Sequence, residues 1–282
     1  MKFSKKDIRA LMDYLASFDL PGMDSEERSN YLNFSLDRFL KTLELFPEEM
    51  NDQSRVLELG ASPYFMSLLV KKYYNCRIEF ANFFGPSKIS KAREVLSSKK
   101  YNVTYDIDFK HFNVEKEKFP YRDKSFDLVL FCEIIEHLTV DPVHTLVQIN
   151  RLLRDGGYMI ITTPNALRYE NVAKLVMGKN IHDHYSGYGA YGRHNREYTP
   201  EELRLLVESM GFRAVKLYTK VTGSIKIEGL SIKRFRRLIQ LCTTRNRGGN
   251  IFLLARKVAD ADYHYPGWLF ESMHEAKKLK KK

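Results

Sequence analysis

Cysteine is scarce in this 282-residue chain, and Cys76, Cys132 and Cys242 stand far apart. That scarcity excludes a disulfide framework or a zinc knuckle, and it suits a reducing compartment. Long apolar runs are missing as well. No stretch approaches the roughly eighteen apolar residues that a membrane helix needs. The opening MKFSKKDIRALMDYLASFDL carries charge where a secretory signal wants an unbroken apolar core, so a cytoplasmic protein is expected. Glycine is thin where a phosphate-cradling loop would want it. RVLELGASPYF, Arg55 to Phe65, holds a single glycine, Gly60, where a dinucleotide fingerprint wants three. Tight pyrophosphate packing, and with it a nicotinamide-dependent oxidoreductase, is disfavoured.

Acids are also fewer than bases, giving a formal net charge of +11. Much of the excess is local. Lysines crowd the closing KKLKKK, and KRFRRLIQLCTTRNR, Lys233 to Arg247, is basic without an acid. Such a face suits nucleic acid, a nucleotide-linked sugar or a lipid head group, and equally suits solubility alone. Composition does not choose among them.

Hydrophobic spacing supplies the fold class. Residues 3–19 and 25–46 read as helices, the second with Leu32, Leu36, Phe39, Leu43 and Phe46 near one face. Short apolar runs then recur at Arg55–Leu59, Arg77–Phe80, Phe126–Phe131 and Tyr158–Thr162. Helical candidates lie between them at Met66–Tyr74, Ser87–Ser98 and Pro142–Leu153, with a turn at Asp155-Gly156-Gly157. This alternation predicts an α/β domain with a mostly parallel sheet covered on both faces. Thr199 caps a last helix over Pro200–Met210, and Ala214–Thr219 and Asn250–Ala255 suit an antiparallel finish. The organisation expected is an N-terminal helical extension over 1–48, a main domain over 49–258 and a basic extension over 259–282. Within the main domain, 166–198 reads as a lid-like insertion and 221–249 as a basic one.

FCEIIEHL, Phe131 to Leu138, places Glu133, Glu136 and His137 where the third run ends. At spacings of three and four, one helical turn aims all three into a common volume. Ligands of such sheets bind beyond the carboxyl ends of the strands. Two carboxylates and an imidazole can hold Mg²⁺, Mn²⁺, Fe²⁺ or Zn²⁺; they can equally be a cap, a solvated acid and a packed ring. Cys132 reads as strand packing.

ELGASPYF resembles the first motif of class I S-adenosylmethionine-dependent methyltransferases. Glu58, Gly60 and Ser62 stand where that family has its acid and first two glycines, and Tyr64 where it has the third. FPYRDKSFDLVLFCEIIEHL is similar to the family's fourth-strand segment and LLRDGGYMIITTPN to its fifth, so the likeness spans roughly 50–257. The resemblance implies a Rossmann-like, seven-stranded sheet and S-adenosyl-L-methionine as cofactor. It puts Glu58, Gly60, Ala61, Ser62 and Phe131 against that cofactor. Asn82 falls where the family's ribose-binding acid ends the second strand, and Asn113 falls near its adenine-side acid. An amide can still donate and accept there, without the charge.

E-x-x-E-H further resembles the metal motif of two methyltransferase groups. One acts on ubiquinone precursors, the other on the terminal ribose 2′-hydroxyl of small RNAs. The second group draws another histidine from H-x-F-E-W-T, and HNREYT here matches it at His194, Glu197 and Thr199. The likeness implies Glu133, Glu136, His137 and His194 as metal ligands, with Mg²⁺ or Mn²⁺ as the ion. For methyl transfer to an alcohol, His137 or His194 could take the proton. Tyr185, Tyr188, Tyr191, Arg193 and Arg196 are placed to meet an acceptor. The expected activity is O-methylation of a small hydroxyl acceptor, such as a sugar, a nucleotide-linked sugar or another polyhydroxylated metabolite. RNA ribose 2′-O-methylation, a quinone or lipid acceptor, and a cofactor-binding scaffold without turnover are the alternatives.

Overall fold

The computed structural model describes residues 3–85, 91–222 and 246–270. Two helices open the chain. α1, Lys5–Ala16, and α2, Ser25–Leu43, each begin with a reciprocal capping box, Ser4 with Asp7 and Asp24 with Glu27. Each cap satisfies backbone donors that a helix start otherwise leaves unpaired. Leu32, Leu36, Leu40 and Leu43 form the buried stripe of α2, while Phe39 is half-buried and turned toward the site.

The sheet follows: β1 Arg55–Leu59, β2 Arg77–Asn82, β3 Lys91–Ser98, β4 Val103–His111, β5 Phe126–Cys132, β6 Leu153–Pro164, β7 Phe212–Lys220 and β8 Asn250–Lys257. Their spatial order is β3-β4-β2-β1-β5-β6-β8-β7, with β3 and β8 running against the others. This is the expected Rossmann-like, mostly parallel sheet with an antiparallel finish, but among the described residues it has eight strands rather than seven.

The added strand corrects the helix expected over Ser87–Ser98. Residues 86–90 lie outside the described part, and Lys91–Ser98 pairs antiparallel with β4, from Lys91 against Lys110 to Ser98 against Val103. β4 alternates Val103, Tyr105, Ile107 and Phe109 with Thr104, Asp106 and Asp108, a period-2 pattern whose inner face recruits Leu96. Tertiary pairing thus overrides the helical propensity of the KAREVL run. Farther on, the helix expected to reach Leu153 stops at Leu152. Leu153 already pairs with Phe126, and 154–157 bulges out before Tyr158 meets Leu128.

Both faces of the sheet are covered. α1, α2 and α3, Phe65–Tyr74, pack on one side with Val56, Phe80, Leu128 and Ile160. α4, Val143–Leu152, and α6, Pro200–Ser209, pack on the other with Leu57, Val129, Met159 and Leu253. Full burial of each such side chain contributes roughly 1.5–3 kcal/mol. Thr199 caps α6 as expected, its hydroxyl accepting from the Glu202 amide. Between β6 and α6, α5, Tyr169–Val176, begins the lid-like excursion. Of the basic run Lys233–Arg247, residues 233–245 fall outside the described residues, as do the closing lysines.

The adjacent strands β1 and β5 carry the site. Crossovers leave the sheet in opposite directions from this pair, and Leu59 lies beside Phe131 at their carboxyl ends. That switch point is the crevice where open α/β sheets bind ligands.

Candidate functional site at the switch point

The loop after β1 is built from its own short-range bonds. Gly60 takes φ +65°, and its amide donates to the Ala81 carbonyl at 2.8 Å. A Cβ on Gly60 would come within 2.8 Å of Ile134 Cδ1, so glycine keeps this turn against the loop after β5. Asn82, at the end of β2 as expected, uses its amide on that loop. Its Oδ1 accepts from the Ser62 amide at 3.0 Å, and its Nδ2 donates to Tyr64 Oη at 2.9 Å. Tyr64 adopts φ 67°, the left-handed geometry the family's third glycine would take freely. Its ring is buried edge-on against Phe80. Glu58 is buried rather than at the surface, and accepts from Ser67 Oγ at the start of α3. Burial pushes its carboxyl up to about 8.

Two clefts meet at this loop, and Gly60 and Glu133 border both. One, of about 120 Å³, is polar and lies between α2 and the loop, with Tyr31, Arg38, Ser62 and Thr162 on its walls. The other, of about 200 Å³, is mostly apolar, walled by Phe83, Phe112, Val114, Ile134 and Leu138. Together they offer an apolar slot and a charged pocket, joined at a glycine turn. Asn113 lines the apolar cleft and donates through Nδ2 to Tyr191 Oη at 2.9 Å. Ala61 and Ser62 line the polar one. Phe131 does neither: it is fully buried in the core, because its side chain falls on the α4 face of the sheet.

The acidic and histidine residues divide. β5 ends at the half-buried Cys132, whose thiol is raised to about 12 by loss of solvent and then by Glu58, which leaves little thiolate for chemistry. Glu133 follows with φ 54°, and this left-handed step turns it away from its neighbours toward α2. Arg38 Nη1 donates to its Oε2 at 2.8 Å, and Asn250 Nδ2 approaches at 3.3 Å. Ile135–His137 then makes a single 3₁₀ turn. Glu136 is 0% exposed; its Oε2 accepts from Thr163 Oγ1 at 2.9 Å, and its Oε1 meets no donor among the described residues. Burial and then the Glu133 charge hold its carboxyl well above the usual range.

His137 Nδ1 donates to the Arg193 carbonyl at 3.0 Å, and His194 Nδ1 to Glu197 Oε1 at 3.0 Å. Carbonyl and carboxylate oxygens only accept, so each Nδ1 carries the proton and each Nε2 is left with its lone pair. Burial and then His194 lower the His137 pKa below its ordinary value. Ligand atoms of Glu136, His137 and His194 lie within 4.8 Å of one another. Of the four residues expected as ligands, these three converge and Glu133 stands apart. Glu133 is committed to Arg38.

The excursion is fastened to this turn. Asn195 donates its amide to the Glu136 carbonyl at 2.7 Å and its side chain to the His137 carbonyl at 3.0 Å. Of the expected acceptor contacts, only Tyr191 reaches a cleft, its ring edge-on to Phe83. Tyr185 and Tyr188 stand 90% and 93% exposed on the outer surface. Arg193 lies over the Tyr185 ring, and Arg196 pairs with Glu202 of α6 at 3.0 Å. Arg38, Tyr31, Thr163 and Asn250 were not singled out from sequence. A Tyr31–Arg38 spacing of seven on one helix face was the only available signal. Among the described residues no helix is long and apolar enough to cross a membrane.

Comparison with known proteins follows the same lines. A family model described as a methyltransferase domain matches residues 29–217. A non-reducing polyketide synthase of Metarhizium robertsii is 30% identical over 138 residues, which is 46% of this chain and 6% of that one. A second, from Metarhizium anisopliae, is 29% identical over 136 residues. The chain thus spans only 6% of the length of these curated relatives. A S-adenosylmethionine-dependent methyltransferase of Archaeoglobus fulgidus shares the fold at TM-score 0.50 and 16% identity, over 81% of this chain and 94% of its own. A Haloferax volcanii putative methyltransferase, solved with the Trm112 activator, does so at TM-score 0.51 and 15% identity, over 88% and 98%. With two thirds of its length inside the family model and the motif loops gathered at one switch point, the chain belongs to the methyltransferase-domain family.

Proposed function

We propose that this enzyme moves the methyl group of S-adenosylmethionine to a hydroxyl oxygen of a small polyhydroxylated acceptor, such as a sugar or nucleotide-linked sugar. The observation that carries this reading is the convergence of Glu136, His137 and His194 within 4.8 Å, beside the apolar cleft and beneath the excursion. Methyl transfer from a sulfonium needs an acceptor held in line with the methyl carbon, and an alcohol acceptor must also lose its proton. Two imidazoles with bare Nε2 atoms and a buried carboxylate oxygen without a donor can receive it. The lowered pKa of His137 keeps that ring neutral, and so basic, near pH 7. In this reading the adenosine lies in the apolar cleft and the amino-acid end in the polar one, where Arg38 and Glu133 carry charges complementary to a carboxylate and an ammonium.

A divalent metal is the second reading, and the donor set fits it. Glu136, His137 and His194 would hold the ion, each ring already oriented through its Nδ1 proton. Bound Mg²⁺ or Mn²⁺ would supply a Lewis acid that lowers the pKa of an acceptor hydroxyl.

Calorimetry with S-adenosylmethionine, competed by S-adenosylhomocysteine, tests the cofactor. A labelled-methyl assay over nucleotide sugars, free sugars, catechols and RNA bearing a terminal diol tests the acceptor. A methyl group recovered on nitrogen or carbon would overturn the hydroxyl assignment.

A further inference from the structure

Glu197 lies near the end of the excursion with its side chain mostly shielded, and every hydrogen bond to its carboxylate has a defined direction. Oε1 accepts from His194 Nδ1 at 3.0 Å. Oε2 accepts from Asn171 Nδ2 at 3.1 Å and from Arg168, an ion pair whose partners are both largely shielded from solvent. Those two donors are themselves anchored. Asn171 Nδ2 also donates to the Ala166 carbonyl at 3.1 Å, and Arg168 to the Asn165 carbonyl at 3.2 Å. Asn165 is fully buried at the end of β6 and bonds the returning chain at Asn246 and Gly248. Asp183 is the other acid near His194, but it is more exposed, lies 3.5 Å from Nδ1 and accepts from the His194 amide.

We propose that Glu197 is a positioning residue, which holds His194 with the proton on Nδ1 and the Nε2 lone pair facing Glu136 and His137. Arg168 and Asn171 fix Glu197 in turn. The effect on rate rests on the methyl-transfer reading; the tautomer does not. The chemistry is that of a carboxylate behind an imidazole, where the acid sets the ring's tautomer and tilt without touching the reacting atoms. It follows that charge and hydrogen-bond direction at Oε1 matter more here than side-chain volume.

The isosteric substitution Glu197→Gln separates these. Arg168 carries only donors, and Asn171 Nδ2 is kept in place by the Ala166 carbonyl, so they hold the glutamine carbonyl where Oε2 stood. The amide NH₂ then faces His194, Nδ1 must accept, and the ring proton moves to Nε2. The lone pair the site uses is lost while packing is kept. A wrong tautomer of this kind lowers turnover by about 10²- to 10⁴-fold.

The test is a ¹⁵N spectrum of histidine-labelled protein in EDTA, at a pH of about 8 where imidazole is neutral. The His194 signals are assigned from their loss in His194→Asn. The wild type is expected to show a protonated Nδ1 and a bare Nε2, and E197Q the reverse. E197Q is also expected to bind S-adenosylmethionine as the wild type does and to lose at least about 100-fold in kcat. A wild-type spectrum with bare Nδ1 overturns the proposal even if the variant does not fold. An unchanged tautomer in E197Q overturns it too, and an inverted tautomer with unchanged kcat removes the role in catalysis. Absence of methyl transfer by the wild type would instead strike the functional reading, leaving the spectra to decide Glu197.

Discussion

Arg38 and Glu133 are 95 positions apart and meet at 2.8 Å, so an N-terminal helix is pinned to the loop that ends the central strand pair. Both side chains are mostly shielded from water. Breaking a buried pair from one side leaves the other charge without compensation, a loss of about 3–5 kcal/mol in full burial and less where water still reaches. Arg38→Ala is expected to lower stability by about 2–3 kcal/mol in a urea melt. It should also weaken S-adenosylmethionine binding by more than about tenfold, because the same guanidinium lines the polar cleft. The double variant R38M/E133Q should lose less stability than the two single changes added together. Strict additivity would show that the pair is no energetic link.

Gly60 combines φ +65° with a neighbour 2.8 Å from its absent Cβ. Gly60→Ala incurs about 1–2 kcal/mol of backbone strain and pushes Ile134 into the apolar cleft. Cofactor affinity is therefore expected to fall by more than about tenfold, against a loss of stability no larger than that strain. Calorimetry beside a thermal melt separates the two, and tight binding by G60A would place the cofactor elsewhere.

Much of this arrangement is legible in the sequence, for local reasons. The alternation of apolar runs and helical stripes announces the parallel sheet, and the spacing in EIIEH brings Glu136 and His137 to one turn. The departures come from contacts and backbone angles that local spacing does not encode. Glu133 leaves the metal-ligand set because its φ is 54°, and Arg38 receives it from a helix 95 positions away. β3 escapes notice because KAREVLSS offers one fully buried apolar residue, Leu96, and takes its geometry from pairing with β4. Tyr185 and Tyr188 have the chemistry to meet an acceptor, yet the excursion is fastened at Asn195 and leaves both facing solvent.

Glu58 makes stability depend on pH. Its folded carboxyl is raised from 4.5 to about 8 by burial. Between those values the folded chain keeps a proton that the unfolded chain has released, so stability falls as pH rises and levels off above about 8. Glu58→Gln, which cannot ionise and still bonds Ser67, should flatten that slope. The measurement is a series of urea melts from pH 5 to 9 on both proteins, and parallel curves would place the ionised carboxylate in the fold.

Glu136→Gln replaces the buried oxygen that lacks a donor with one half of an amide. The change keeps volume, and the Thr163 hydroxyl can still donate to the amide oxygen. Turnover is expected to fall by about 100-fold or more while cofactor affinity changes by less than about twofold. EDTA divides the two readings of the cluster. Chelator-sensitive wild-type activity restored by Mn²⁺ supports a bound ion, and chelator-resistant activity supports proton transfer to imidazole alone. Full activity in the Gln variant would remove Glu136 from both.

Tyr191 is the one aromatic of the excursion that reaches the apolar cleft, through an accepted bond from Asn113 and an edge contact on Phe83. Tyr191→Phe keeps the ring and deletes the bond, leaving Asn113 Nδ2 without that acceptor. A neutral hydrogen bond contributes about 0.5–1.5 kcal/mol, or roughly a 2- to 10-fold change in an equilibrium. If the excursion closes the cleft through this bond, the loss falls on retention, so dissociation of S-adenosylhomocysteine should quicken by that factor with little change in association. Stopped-flow displacement measures both rates. A slowed association with unaltered release would mean that Tyr191 shapes entry, and the excursion would then be a fixed wall instead of a closure.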